Sequence, residues 1–551
     1  GLVRSVTPFA EAVTVRQHHS FVELPTGYTP READPRAGFF GISYMDFAVP
    51  IGESMTKRYI ARHRLEKQDP AAAVSDAVEP IVYYLDPGTP EPVRSALIEG
   101  GRWWDQAFAA AGYRNAFRVE VLPDTADPMD IRYNVIQWVH RSTRGWSYGS
   151  SVSDPRTGEI LKGHVTLGSL RVRQDYLLAE GLLSPYETGR EVPPELEAMA
   201  LARLRQLSAH EIGHTLGIAH NYIASTQGAA GRASVMDYPH PLVRLTSDGR
   251  IDLSNAYDQK IGEWDKLAVA YGYQDFPAGV DEQAALDSIL ADGARRGFTF
   301  LSDQDARPVG SAHPQTHLWD NGADAVQELE RMLRVRAAAL ERFGETAIRS
   351  GRPLATLEEA LVPLYLHHRY QTEAAVKSVG GVFYTYALRG ETVIEYQRVP
   401  AAGQRAAARR GSPHGPARDT EAAAHRARHP TAAAVRRERL AGAVRPLHGT
   451  RVRCGRARGE CGGHVAVVAA ESGTCRAPGA AEGARLLAAP PGGCAGNHDA
   501  RDHGAARGRL VRARDRTRRR ARVREPSDDA RGGRADGAGA RASQLRADAA
   551  V

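Results

Sequence analysis

Cysteine is absent from the first 400 residues of this 551-residue chain. That excludes disulfides, thiol nucleophiles and cysteine metal ligands from the region, and with them latency through a cysteine that ligates a metal. All four cysteines, Cys454, Cys461, Cys475 and Cys494, lie near the end, at spacings that fit no C-x₂-C zinc pattern. No apolar run reaches about 18 residues, so no transmembrane helix is expected. Residues 401–551 lack Ile, Phe, Tyr, Trp, Met and Lys. Such a segment cannot bury enough apolar surface to offset the entropy of ordering. An Arg-rich nucleic-acid-binding tail and a natural disordered tail are two readings of it. The third, which the Ala/Arg/Gly/Pro mixture fits best, is out-of-frame translation of a GC-rich gene from near residue 400.

The formal net charge of +7 would ordinarily point to an acidic partner. The charge is unevenly placed, however. Residues 401–551 hold 31 Arg against 14 acidic side chains, a net of +17, and leave 41 basic and 51 acidic residues before them, a net of −10. The part that can fold is acidic, and binding modules usually interleave aromatics or lysines that the tail lacks. No nucleic-acid partner is expected.

What is present is concentrated in HEIGHTLGIAH, residues 210–220. On a helix, His210 and His214 stand one above the other and can offer two imidazoles to one metal ion. Glu211 sits one residue round, within reach of a water at that metal without being a ligand. Gly217 is where the helix should stop, since glycine accepts the left-handed conformation of a C-terminal cap. Beyond the turn His220 supplies a third nitrogen. Three histidines and an open position describe a catalytic zinc site, whereas structural zinc sites are closed by four protein ligands. Ile212, Leu216 and Ile218, interleaved with the polar set, mark a buried helix rather than a surface helix that happens to carry histidines.

Downstream stands Ser234-Val235-Met236-Asp237-Tyr238-Pro239. With the extended H-E-x-x-H-x-x-G-x-x-H motif before it, the chain resembles a metzincin, a zinc-dependent metalloprotease with a Met-turn. The resemblance implies that Met236 packs beneath the zinc ligands and that Tyr238 binds zinc or stabilises the transition state. It also implies Zn²⁺ as cofactor, a protein or peptide substrate, and a periplasmic or secreted location. The reading is a zinc metalloendopeptidase in which Glu211 is the general base toward a zinc-activated water and Tyr238 donates to the developing oxyanion. Its alternatives are an inactive zinc-bearing binding protein, against which the intact Glu211 argues, and nucleic-acid binding through the tail.

The expected fold is α+β: a metzincin-like domain with a mixed twisted sheet and an active-site helix, then a mostly helical domain. The divisions are 1–30 as the remnant of an upstream domain, 31–276 for the protease, 277–400 for the helical domain, and 401–551 for the low-complexity segment. The opening Gly1 suggests a fragment or processed form. Within the protease, periodicity predicts a helix over Pro92–Gly112, strands over Phe117–Leu122, Asp130–His140 and Glu159–Leu170, a turn at Asp154–Gly158, and entry into the zinc helix over Pro193–Ser208. The metzincin resemblance implies that Lys162–Gly168 is the sheet edge that holds an extended substrate, and His164 on it is read as an ordinary strand histidine. Helices are expected over Asn321–Phe343 and Leu354–Lys377, with His367 and His368 as a surface pair.

Overall fold

The computed structural model describes residues 14–411 apart from 16, 141–145, 229–230, 309 and 391–395. Two strands, β1 (Gly41–Met45) and β2 (Thr56–Ile60), make an antiparallel hairpin ahead of the main sheet. The sheet has five strands: β3 (Ile81–Leu85), β4 (Phe117–Val121), β5 (Asn134–Val139), β6 (Tyr148–Ser153) and β7 (Ile160–Gly168), in the order β4-β3-β5-β7-β6. Pairing is parallel from β4 to β7, and the last strand, β6, runs antiparallel to β7. Helices and strands are mixed, as the α+β expectation has it.

The helix expected over Pro92–Gly112 is two, α1 (Val93–Arg102) and α2 (Trp104–Ala110). The Trp103 N–H bonds back only three residues, to the Gly100 carbonyl at 3.2 Å. Both tryptophans are buried, and the Trp104 indole donates to the Ala209 carbonyl at 2.8 Å. That acceptor belongs to α4 (Glu195–Thr215), which follows α3 (Arg171–Leu183). Pro194 opens α4, and Glu195 and Glu197 in its first turn suit the positive end of the helix dipole. One apolar core joins Tyr83 and Leu85 of β3, Val119 of β4, Leu97, Trp104 and Phe108 of the first helices, and Leu204 and Ile212 of α4.

Lys162–Gly168 is not the sheet edge that the sequence reading makes it. Strand β7 is paired on both sides, with β5 and β6, so Lys162–Gly168 is interior. Lys162 is buried, its Nζ donating to the carbonyls of Pro128, Asp130 and Tyr133. Those same bonds hold residues 130–133 out of β5, which therefore begins at Asn134 and not at Asp130. The free edge beside α4 is β6.

After the sheet come α5 (Glu263–Tyr273), α6 (Glu282–Arg295), α7 (Ala325–Arg342), α8 (Leu357–Tyr365), α9 (Arg369–Val376) and α10 (Ala401–Gly411). The helix expected over Leu354–Lys377 breaks at Leu366–His368, and His367 is buried against His240, with ring centroids 4.6 Å apart, rather than on the surface. Ala179, Leu182 and Met199 share a core with Val335, Ala339 and Leu364, so the later helices pack on α3 and α4. Ordered structure also passes residue 401: alanine-rich α10 buries Ala407, and Arg410 pairs with Glu330 at 2.8 Å. The remaining readings of the tail fall outside the described residues.

Candidate metal centre

The site starts at the end of α4. Leu216 caps the helix, the Gly217 N–H bonds the His214 carbonyl at 3.1 Å, and the Ile218 N–H bonds the Gly213 carbonyl at 3.0 Å. These two bonds make a Schellman motif. Gly217 adopts φ +90°, and a Cβ there would collide with the Ala61 carbonyl. The turn throws His220 back toward the helix. Gly217→Ala is therefore expected to combine a left-handed penalty of roughly 1–2 kcal/mol with that collision. A thermal midpoint within a degree of wild type would contradict it.

His210, His214 and His220 are the one group of three potential metal ligands among the described residues whose ligand atoms all lie within 4.8 Å of one another. His214 Nε2 is 3.2 Å from His210 Nε2 and 3.1 Å from His220 Nε2. Each Nδ1 is engaged elsewhere: His210 with the Val235 carbonyl at 2.8 Å, His214 with the Ile218 carbonyl at 2.9 Å, and His220 with Asp303 Oδ2 at 2.9 Å. Carbonyls and carboxylates only accept, so every Nδ1 carries a proton and the Nε2 lone pairs converge. Three lone pairs this close repel without a cation between them. Around a tetrahedral zinc with Zn–N of about 2.0–2.1 Å, nitrogens stand roughly 3.3 Å apart. The residues present fit the metal. Burial adds to this by keeping the imidazoles neutral: it pushes His210 well below the usual histidine range and His214 down to about 3.

Beneath the triad the chain turns at Val235–Met236. Met236 is fully buried, with its Sδ so close to Gly213 that any side chain there would collide with it. The turn is fixed from behind by Asp265, whose carboxylate accepts from Ser234 Oγ, Val235 N and Gly262 N at 2.5, 2.9 and 2.8 Å. The peptide units that bind Asp265 on one side and His210 on the other meet at Val235, so this buried acid orients the His210 imidazole through the backbone. Tyr238 places its ring 5.2 Å from that of His210 and 4.7 Å from that of His220, and stacks on Trp319. Burial pushes its phenol above the ordinary range, with the neighbouring Arg307 opposing.

Glu211 is buried, which raises its carboxyl to about 8, while Arg203, the Gly149 N–H of β6 and Arg171 favour the charged form. Gly149 is the closest approach of the sheet edge: a Cβ on it would strike the Glu211 carbonyl. Along the same strand Ser150, Ser151 and Val152 are exposed.

All seven residues singled out from the sequence, His210, Glu211, His214, Gly217, His220, Met236 and Tyr238, thus lie in or directly around one site, whereas His164 stands outside the triad. Sequence reasoning missed Asp303, Arg307 and Phe40. Asp303 and Arg307 come from the stretch read as a separate helical domain, and no local pattern ties Asp303 to a histidine 83 positions away. Phe40 reaches the site from the N-terminal side, its ring 5.7 Å from that of His214 and its N–H bonded to the Gly217 carbonyl at 2.7 Å. Asn221, next to His220, fixes the loop before Asp303 by donating to the Thr299 carbonyl at 3.1 Å and accepting from Leu301 N at 3.3 Å.

Residues 193–410 match the model of the Met-zincin family, and residues 3–68 match a domain of unknown function, DUF5117. No curated protein and no solved structure matches the chain. The Met-zincin match bears out the metzincin resemblance and supports a zinc metallopeptidase, a hydrolase acting on peptides. It extends to residue 410, past the start of the low-complexity segment at 401, and takes in nearly all of α10. The DUF5117 match runs across position 30 and includes the hairpin and Phe40.

Proposed function

We propose that this chain is a zinc-dependent endopeptidase in which His210, His214 and His220 hold the metal and Glu211 is the general base. The observation that carries the reading is the convergence of three Nε2 lone pairs, each fixed by a partner on Nδ1, with a buried carboxyl on the adjacent residue. Zinc, when bound, supplies Lewis acidity for the scissile carbonyl and the attacking water. Glu211 takes a proton from that water and passes it to the leaving amine. A nearby dication favours the ionised form of Glu211, opposite in sign to the effect of burial. Tyr238 donates to the oxygen on which negative charge develops, and Met236 supports the ligand helix from below.

Substrate is held along β6. One side of this strand is free of pairing among the described residues, and an extended peptide can add there as a further antiparallel strand. An open edge lets the peptide continue in both directions, which favours cleavage within chains. Among the described residues no helix is long and apolar enough to cross a membrane; the extracytoplasmic location follows from the metzincin resemblance.

Unfolded casein tests the reading. Cleavage is expected, with loss on adding a zinc chelator and recovery on adding back zinc. Cleavage that persists undiminished in chelator overturns the metal-dependent mechanism.

A further inference from the structure

Two polar side chains of the short helix Asp303–Ala306 and the turn after it reach the site at His220 and Tyr238. Asp303 uses one carboxylate oxygen, Oδ2, for His220 Nδ1 at 2.9 Å, and the other, Oδ1, accepts from Arg307 Nε and, at 3.3 Å, from the Tyr222 hydroxyl. Arg307 Nη2 donates to the hydroxyls of Tyr222 at 2.9 Å and Tyr238 at 3.2 Å, and its guanidinium lies 5.4 Å from the centroid of the Tyr238 ring. Tyr222 in turn packs on His220, centroids 5.0 Å apart. A third histidine, two tyrosines, an aspartate and an arginine therefore form one network, joined by hydrogen bonds except between Tyr238 and His220, whose rings pack with centroids 4.7 Å apart. The helix is itself anchored from outside the site: Asp305 accepts from the Tyr384 and Tyr386 hydroxyls, and Lys377 Nζ donates to the Asp305 carbonyl at 2.9 Å.

We infer that Asp303 and Arg307 are a coupled pair of positioning residues, Asp303 fixing the tautomer and orientation of His220 and Arg307 fixing the Tyr238 hydroxyl over the reacting carbonyl. The chemistry distinguishes the two jobs. A carboxylate on Nδ1 leaves the Nε2 lone pair free for the metal and makes it more basic. A guanidinium presents several donors in a rigid fork, so it can serve the Asp303 carboxylate and two phenol oxygens at once, which a lysine ammonium on a flexible stem cannot do. With its oxygen accepting from Arg307, the Tyr238 hydroxyl keeps its own proton to donate outward. Arg307 thereby acts on substrate through Tyr238.

The inference rests on the zinc-peptidase reading for its activity measurement but not for its metal measurement, so the two can fail separately. In a zinc-competition titration of the full chain, Asp303→Asn is expected to weaken zinc about 10–100-fold, and Arg307→Met far less; wild-type zinc affinity in Asp303→Asn overturns the role of Asp303. In peptide cleavage, Arg307→Met is expected to lower kcat about 10–100-fold with KM nearly unchanged, as befits an interaction made in the transition state. Arg307→Lys should not restore it. The deciding measurement is a double-mutant cycle: once Tyr238→Phe has removed the hydroxyl, Arg307→Met should cost little more. Costs that simply multiply, or a Lys variant with wild-type kcat, overturn the role of Arg307. Should Arg307→Met unfold at assay temperature, Arg307→Gln, whose shorter side chain keeps a polar amide but not the guanidinium fork, serves in the same cycle.

Discussion

Glu211→Gln is expected to leave zinc bound and the fold intact while lowering kcat/KM by about 10²–10⁴-fold, the usual range for removing a general acid–base group. Glutamine fills the same buried volume, and its amide cannot take up a proton. The three imidazoles keep all their Nδ1 partners, since none of those partners is Glu211. Burial already raises the Glu211 carboxyl to about 8, so without metal the neutral amide replaces a group that is largely neutral at pH 7. Little change in thermal midpoint follows from that. Zinc content by mass spectrometry, thermal midpoint and kcat/KM on one peptide separate the outcomes. Undiminished kcat/KM would remove Glu211 from the mechanism, and loss of zinc would show instead that it holds the metal site together.

The parts of this site that could be read from sequence are those fixed by local geometry. His210 and His214 are four residues apart on one helix, and Gly217 must take a positive φ to turn the chain toward His220, so periodicity and one glycine suffice. Met236 and Tyr238 follow in a short segment whose order is recognisable. Asp303, Arg307 and Phe40 are brought in by tertiary packing alone, and nothing in their neighbours' spacing announces a metal centre. The edge strand was misplaced for a physical reason. Val165 and Leu167 of β7 give a strong strand pattern because that strand is interior and buried. The real edge, Tyr148–Ser153, is small and polar, with weak strand propensity. Its exposed serines give pattern reading little to find.

Asp303 shows that the site passes position 276, and Phe40 that it draws on the N-terminal end of the 31–276 segment. Ala219 N bonds the Gly38 carbonyl at 2.8 Å, Phe39 bridges to Ile218, and Ala61 N bonds the Phe40 carbonyl at 2.8 Å, so the N-terminal chain clasps the turn between the second and third histidines. From the other side the Thr299–Arg307 stretch clasps His220 through Asn221 and Asp303. The turn has little regular structure of its own, and these two flanking segments hold His220 beside His210 and His214 of the helix.

His214→Ala is expected to abolish both zinc retention and cleavage, because His214 is the ligand that stands within 3.2 Å of each of the other two Nε2 atoms. Stability should fall in two separable steps. Wild-type protein gains about 4 kcal/mol from a ligand held at roughly a thousand times its dissociation constant, and the variant should lose all of the thermal shift that added zinc produces. The second step is independent of metal. His214 Nδ1 donates to the Ile218 carbonyl inside the Schellman turn, and its ring packs near Phe40. Removing the donor leaves a buried carbonyl unpaired, at a cost of about 1–3 kcal/mol, so the variant should unfold below metal-free wild type as well. Thermal unfolding of both proteins, with chelator and with zinc, gives the four midpoints that test this. A variant that still shifted with zinc to the wild-type extent would take His214 out of the metal centre, and with it the geometry on which the peptidase reading depends.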